Sequence, residues 1–174
     1  MEFSAGRDTQ ELDVTMKPGR GYPLQRDMIR LTLTVTEGGA PAAGRILWLA
    51  APGQTELKIA QTKAEAGSAS LRLFAKGAAA PAVPGTYLIA DGKNSEIVLL
   101  RALEGEMGEL LAPLARPHSR SRSLLPAQRY HTDGEGVLTA AFREPCAVEV
   151  CGPEGELLAG LELTQGENHH TIQL

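Results

Sequence analysis

Apolar and polar residues alternate along much of this chain, and residues 29–36 show the pattern most clearly. Ile29 and every second residue after it are aliphatic, whereas the positions between them carry Arg30 or threonine. A period of two is typical of an antiparallel strand with one buried face and one face in water. The Gly- and Pro-containing segment 38–41 predicts a turn, and the apolar run 46–49 predicts the next strand.

The same rhythm predicts about seven strands before residue 102, each bounded by Gly, Pro, Asn or Asp. The predicted strands are 11–17, 29–36, 46–50, 57–60, 69–74, 86–90 and 96–100. Apolar residues do not recur at helical spacing here, and Gly or Pro interrupts nearly every window that could hold three helical turns. At 107–114 the leucine spacing matches a short helix, although Gly108 and Pro113 weaken that interpretation. The predicted fold class is therefore all-β.

We predict that the chain divides into three parts. Residues 8–102 form a larger β-domain, residues 129–174 form a smaller antiparallel β-module, and residues 103–128 form a linker whose composition shifts toward Arg, Ser and Pro. The strands predicted in the smaller module are 136–142, 147–151, 157–163 and 169–174. Because four strands alone are marginally stable, we expect the linker to pack as a seam between the two domains. Its apolar residues are Leu110, Leu111, Leu114, Leu124 and Leu125.

The order of turns and strands resembles bacterial immunoglobulin-like modules. The turn at 39–44 has the Gly-x-Pro-x-x-Gly form of that family, and Gly85-Thr86-Tyr87 has its Gly-x-Tyr form. Residues 148–174 look like the small terminal β-modules of secreted bacterial proteins, with Glu154-Gly155 as the hairpin turn. The resemblance implies an immunoglobulin-like antiparallel sandwich followed by a smaller antiparallel C-terminal β-module. It also implies a non-catalytic accessory, spacer or ligand-binding module of a secreted or cell-surface bacterial protein.

Charge and hydropathy narrow the classes of partner. The net charge is −4, so the chain has no global basic field and we expect no nucleic-acid partner. No apolar run approaches the 18 or more residues of a membrane span, so we expect no membrane insertion. Residues 1–4 begin no secretory signal, so a cytoplasmic location stays open beside the secreted one. A protein or polysaccharide partner is compatible with this composition, which does not predict an oligomeric state.

The sequence predicts no catalytic, metal or cofactor site. Cys146 and Cys151 are five residues apart on a predicted strand, so they face opposite ways and should not bond each other. The adjacent His169 and His170 likewise point to opposite faces, which disfavours a shared metal ion. The Asp-Gly turns are better explained as hairpin turns than as calcium loops. No nucleophile elbow or phosphate-binding glycine loop occurs, so we expect a protein that is not an enzyme.

The only cationic cluster in the sequence is the candidate contact site for an anion or a partner. Serines alternate with its arginines, which could hold phosphate, sulfate or an acidic polysaccharide, although a solvated linker has the same composition. The candidate residues are Arg116, Arg120, Arg122 and Arg129.

The sequence leaves two alternative functions open. One is a glycan-binding accessory region of an enzyme, which seven aromatic residues hardly support. The other is a self-assembling structural protein of an envelope or phage. Trp48 lies between leucines and is interpreted as a core anchor rather than a sugar platform, and Tyr87 as a structural tyrosine whose hydroxyl bonds backbone.

Overall fold

The structure is a computed structural model that describes residues 28–174. The strand predicted at 11–17 therefore lies outside the described residues. Strands make up 58% of the described part, which contains no α-helix and one short 3-10 turn at Gly92–Asn94. The all-β prediction is confirmed.

Fifteen strands follow one another in the described part of the chain. They are β1 Ile29–Glu37, β2 Ala40–Pro41, β3 Ile46–Ala50, β4 Glu56–Ile59, β5 Lys63–Ala64, β6 Ser70–Lys76, β7 Gly85–Ala90, β8 Glu96–Glu104, β9 Met107–Leu110, β10 His118–Ser119, β11 Ser123–His131, β12 Val137–Phe142, β13 Cys146–Cys151, β14 Leu157–Leu163 and β15 Glu167–Gln173. None of the described residues forms a helix with the length and apolar character needed to cross a bilayer.

Six of these strands close into a barrel, in the order β11-β4-β6-β9-β8-β7. Closure occurs at Leu124, which pairs with Leu57 of β4 on one side and with Ile89 of β7 on the other. All six strands contribute apolar residues to one core, which includes Leu57, Ile59, Leu71, Leu73, Ile89, Leu100, Leu110 and Leu124. Closure pairs both edges of each strand, so the middle of the barrel wall offers no open edge.

The remaining long strands form a two-sheet unit. One sheet has the order β12-β1-β15, with β2 beside β1, and the other continues from β11 as β3, β13 and β14. Both sheets contribute to one core, in which Leu31 and Leu33 of β1 lie with Leu49 and Val150. Nearly all strand pairs are antiparallel, but β15 runs parallel to β1, with Arg30 opposite Glu167.

A single strand, β11, belongs to both units. Its first residues pair within the barrel, whereas residues 127–131 pair with β3 of the two-sheet unit. A small apolar cluster, Ala50, Leu88 and Cys151, fills the space between the units, and Trp48, Ile97 and Leu125 pack against it. We call this the junction cluster.

The strand pairing differs from the predicted domain boundaries and does not confirm an immunoglobulin-like sandwich at residues 8–102. The predicted linker 103–128 contains β9, β10 and the first half of β11, and its residues 107–110 form a strand instead of a helix. Leu110, Leu114 and Leu124 lie in the barrel core, whereas Leu111 is 64% exposed. The predicted antiparallel C-terminal module also ends in a strand parallel to β1. Alternation identifies a strand's buried face but not its neighbours, so local pattern could not reveal these pairings.

Candidate functional site

The four candidate arginines lie in three different places. Arg116 and Arg122 bind the turn between β7 and β8, and Arg120 lines a groove on the barrel. Arg129 lies on β11, opposite Trp48 of β3. The cationic cluster of the sequence is therefore not one site.

His118, which the sequence placed in a linker, is fully buried between two carboxylates. Its Nδ1 lies 3.0 Å from Oδ2 of Asp91, and its Nε2 lies 2.7 Å from Oε1 of Glu96. A ring nitrogen that faces a carboxylate donates a hydrogen bond to it through its N–H, so this geometry favours the imidazolium form, in which both nitrogens donate. Glu96 and Asp91 lie 22 and 27 residues before His118, so no local sequence motif indicates that they contact it.

Further contacts tie the β7–β8 turn to residues 115–122. Backbone N–H groups of Ala115 and Arg116 donate to the Glu96 carboxylate at 2.9 and 3.0 Å. The Arg116 guanidinium donates to the carbonyl of Ser95 at 2.7 Å, and Nε of Arg122 lies 2.7 Å from Oδ1 of Asp91. We call Asp91, Glu96, His118, Arg116 and Arg122 the His118 network. Since both imidazole nitrogens are occupied inside it, its role is to fasten two loops together.

The network shifts two pKa values in opposite directions. Burial disfavours the His118 imidazolium, but hydrogen bonds and charges from Glu96 and Asp91 outweigh burial and raise the His118 pKa above 6.5. Burial alone would raise the Glu96 pKa, but hydrogen bonds from His118 and two backbone amides outweigh it and hold that pKa below 4.5. The imidazolium's contribution to stability is thus complete below pH 6.5 and lost as pH rises through the raised pKa. The Glu96 contribution is present above pH 4.5 and lost as pH falls through the lowered pKa.

We therefore expect the stability difference between the wild type and His118→Gln to narrow as pH increases. Denaturant unfolding from about pH 5.5 to about pH 9.5 measures this difference, because the substitution removes the titrating imidazole. His131→Gln, an exposed histidine of β11, should retain the wild-type pH profile. A wild-type-minus-variant difference that stays constant over this range would contradict the prediction.

Both cysteines are free thiols whose pKa values are raised by burial. Cys146 and Cys151 are not bonded to each other, as predicted. Burial, with Glu149 and Glu156 nearby, raises the pKa of the Cys151 thiol to about 12, so it stays protonated at neutral pH. Within residues 28–174 no group of three or more His, Cys, Asp or Glu side chains is arranged to hold a metal ion.

The largest concentration of aromatic side chains lines a cleft between the barrel and the two-sheet unit. This cleft has a volume of about 450 Å³, and we call it the junction cleft. Seven aromatic residues occur in the chain, of which Phe3 and Tyr22 lie outside the described part. Three of the remaining five line this cleft, together with prolines and a polar side chain. Its main lining residues are Pro52, Tyr87, Pro126, Gln128, Tyr130 and Phe142.

Strand pairing brings these side chains to one place. Tyr87 pairs with Pro126 across the barrel wall, and Tyr130 lies farther along the same strand, β11. The Tyr87 hydroxyl donates to the backbone carbonyl of Ala82 at 2.8 Å, in agreement with the structural role predicted from the sequence. Phe142 enters from the end of β12, where it pairs with Ile29.

Polar groups surround the aromatic rings. The Tyr130 hydroxyl donates to Oε1 of Gln128 at 3.1 Å, and the Gln128 side chain is exposed. A second cavity of about 450 Å³ shares Pro52 and Phe142 with the cleft and adds Gln54 and Arg143. The combined surface offers apolar ring faces with hydrogen-bonding groups at their edges.

Trp48, the residue weighed as a sugar platform, lies elsewhere. It is half-buried against the junction cluster, and its Nε1 donates to the carbonyl of Pro153 at 3.2 Å. Its indole therefore joins the β13–β14 turn to β3.

Comparison with protein-family models, curated proteins and solved structures found no match for this chain, so the cleft geometry carries the functional argument.

Proposed function

We propose that this chain is a non-catalytic ligand-binding module of a bacterial surface or secreted protein, and that the junction cleft binds a neutral oligosaccharide. The observation that carries the proposal is that the half-buried rings of Tyr130 and Phe142 line one cleft in an aromatic-poor chain, with the buried Tyr87 beneath them as structural support. Sugar rings present an apolar C–H face and a rim of hydroxyl groups. Aromatic rings edged by amide side chains complement both features.

The surroundings of the candidate reactive groups support a non-catalytic role. Both nitrogens of His118 are engaged by carboxylates, so neither is free to exchange a proton with a substrate. The thiol of Cys151 is buried and has a raised pKa, which disfavours the nucleophilic thiolate. Burial raises the pKa of both tyrosines in the cleft, which disfavours the phenolate that a general base would need.

Replacing the half-buried Tyr130 with alanine should weaken binding of a neutral oligosaccharide by about tenfold or more, because the substitution removes a stacking face at the centre of the cleft. A glycan array identifies the neutral ligand, and isothermal titration calorimetry then compares wild type and variants. Gln128→Ala is a second variant that removes an exposed rim group and the acceptor of the Tyr130 hydroxyl, and it should weaken binding without affecting the fold.

Leu111→Ala is the control, because this apolar residue is 64% exposed and lines neither the junction cleft nor the adjoining cavity at Gln54 and Arg143. Its affinity should equal that of the wild type. Failure of the wild type to bind any neutral glycan, or equal weakening by Tyr130→Ala and Leu111→Ala, would contradict the proposal.

Self-assembly is the second candidate, and the sheet edges favour it. In the described part of the chain, β12 and β15 each pair along one side only, with β1. Such open edges can add a strand from another copy. Light scattering on the calorimetry samples distinguishes the two functions. A molar mass that rises with concentration to that of a defined oligomer would favour assembly, and a constant monomer mass would favour the ligand-binding module.

A further inference from the structure

Another cavity, on the barrel and separate from the junction cleft, is lined by charged side chains. It has a volume of about 490 Å³ and lies against β4, β6 and the loop before β11. We call it the basic groove, and its main lining residues are Lys58, Arg72, Phe74, Glu106, Arg120 and Ser121. We propose that the basic groove binds an anionic oligosaccharide, one whose sugar rings carry carboxylate or sulfate groups.

The charges of the groove oppose the charge of the chain. Its lining holds three cationic side chains and one carboxylate, whereas the whole chain carries a net charge of −4. Nε of Arg72 lies 2.7 Å from Oε2 of Glu106, and Nζ of Lys58 lies 2.5 Å from Oε1 of Glu56. The Arg120 guanidinium makes no ion pair or side-chain hydrogen bond with any residue of the 28–174 range. It is therefore the cation available to a ligand, and a planar guanidinium suits carboxylate and sulfate oxygens.

The backbone around Arg120 is fixed in place. Its own N–H donates to the carbonyl of Thr62 at 3.1 Å, and the N–H of Ser121 donates to the carbonyl of Ile59 at 2.8 Å. Ser121 has a φ of +67°, the only positive φ at a non-glycine residue in the described part of the chain. The carbonyl of Arg122 accepts a third hydrogen bond, at 3.0 Å, from the N–H of Ile59. A loop held by three such bonds has little backbone entropy left to lose on binding.

Phe74 supplies a ring face beside these charges. It is 51% exposed, lies opposite Lys58 in the β4–β6 ladder, and shares the outward face of β6 with Arg72. A sugar ring can stack on Phe74 while an acidic substituent reaches Arg120. One aromatic ring with few cations does not form the multi-base stacking surface or extended phosphate track of a nucleic-acid site.

The closed barrel favours an oligosaccharide over an acidic peptide. An extended peptide commonly binds by adding a strand to an open sheet edge. The strands β4 and β6 each pair on both sides, so this face has no edge to offer. Recognition must come from side chains, and ring stacking with a charge contact is sufficient for an acidic sugar.

Calorimetric titration with defined probes tests the proposal. The probes are an oligogalacturonate for carboxylate, a sulfated dextran oligosaccharide for sulfate, neutral dextran, and poly-glutamate. We expect one or both acidic sugars to bind at low salt and Arg120→Ala to weaken that binding by about tenfold. Phe74→Ala should weaken it independently of salt, since stacking carries no net charge. Arg120 is exposed, so its truncation should leave the fold intact.

Arg129→Ala is the matched control, because it removes the same charge from an exposed arginine of β11 outside the groove. It should leave the affinity unchanged, and so should Tyr130→Ala in the junction cleft. Equal weakening by the two arginine variants would overturn the proposal by indicating non-specific attraction. Binding of poly-glutamate as tight as that of the acidic sugars, or no preference for acidic sugars over neutral dextran, would also overturn it. These outcomes are independent of neutral-glycan binding in the cleft.

Discussion

Replacing His118 with alanine should lower the free energy of unfolding by about 3 kcal/mol, because it leaves two buried carboxylates without their shared cation. The side chains of Asp91 and Glu96 are only 9% and 8% exposed, so water cannot readily replace the imidazolium. Arg122 and two backbone amides retain part of the carboxylates' hydrogen bonding, which limits the loss. Urea denaturation at neutral pH, followed by circular dichroism, measures the change.

His131→Ala is the control for this prediction, since His131 is an exposed histidine of β11 and its loss should change stability by less than about 0.5 kcal/mol. The double variant Glu96→Gln with His118→Gln should be less destabilised than the sum of its single substitutions, because the two groups interact directly. Additive single effects would show that Glu96 and His118 are not coupled, and a His118→Ala variant as stable as His131→Ala would show that the network adds little to stability.

We expect Gly155→Ala to lower the free energy of unfolding by about 3 kcal/mol, because left-handed backbone strain and overpacking act together. Gly155 has a φ of +96°, and a Cβ at this position would lie 2.6 Å from the backbone nitrogen of Ile97. The obstacle is backbone, so no side-chain rotation relieves it. The β13–β14 turn would have to move away from the start of β8, which begins at Glu96. Thermal unfolding of wild type and variant measures the loss.

Substitutions of two other glycines separate backbone strain from overpacking. A Cβ added at Gly160 of β14 would meet no atom within 4 Å, and the residue has no positive φ, so Gly160→Ala should be close to neutral. Gly92 has a φ of +56° but equally open surroundings, so Gly92→Ala reports backbone strain alone, a loss of about 1 kcal/mol. If Gly155→Ala is no worse than Gly92→Ala, the close approach to β8 contributes nothing.

Strand positions were the part of the fold that local pattern could reveal. Residues 46–50 were predicted as a strand and form β3, and the strand predicted at 157–163 coincides with β14. β1 extends one residue beyond the predicted 29–36. In each case the side chains of one face are buried, and burial of one face is the physical property that alternation records.

The neighbours of those strands could not be predicted in the same way. Closure of the barrel depends on Leu124 meeting both Leu57 and Ile89, and these contacts join segments far apart in the chain. The parallel pairing of β1 with β15 is equally non-local. Apolar alternation is the same for any partner, so the sequence pattern was compatible with many pairings.

The candidate sites could not be predicted from the sequence for related reasons. Among the predicted arginines, Arg120 alone lines the basic groove, because Arg116 and Arg122 bind the β7–β8 turn and Arg129 lies on β11 outside the groove. The aromatic count correctly described the chain as poor in such residues but said nothing of their convergence. Tyr87, Tyr130 and Phe142 meet only because β7, β11 and β12 border the same cleft.

The pairing of β1 with β12 and β15 has a consequence for synthesis on the ribosome. β1 is translated before the barrel strands, yet both of its long partners follow the entire barrel segment. Since chains grow from the N-terminus, the barrel strands β4 to β9 emerge while the apolar face of β1 has neither partner. We therefore expect the apolar face of a nascent β1 to stay exposed until β12 and β15 have been made.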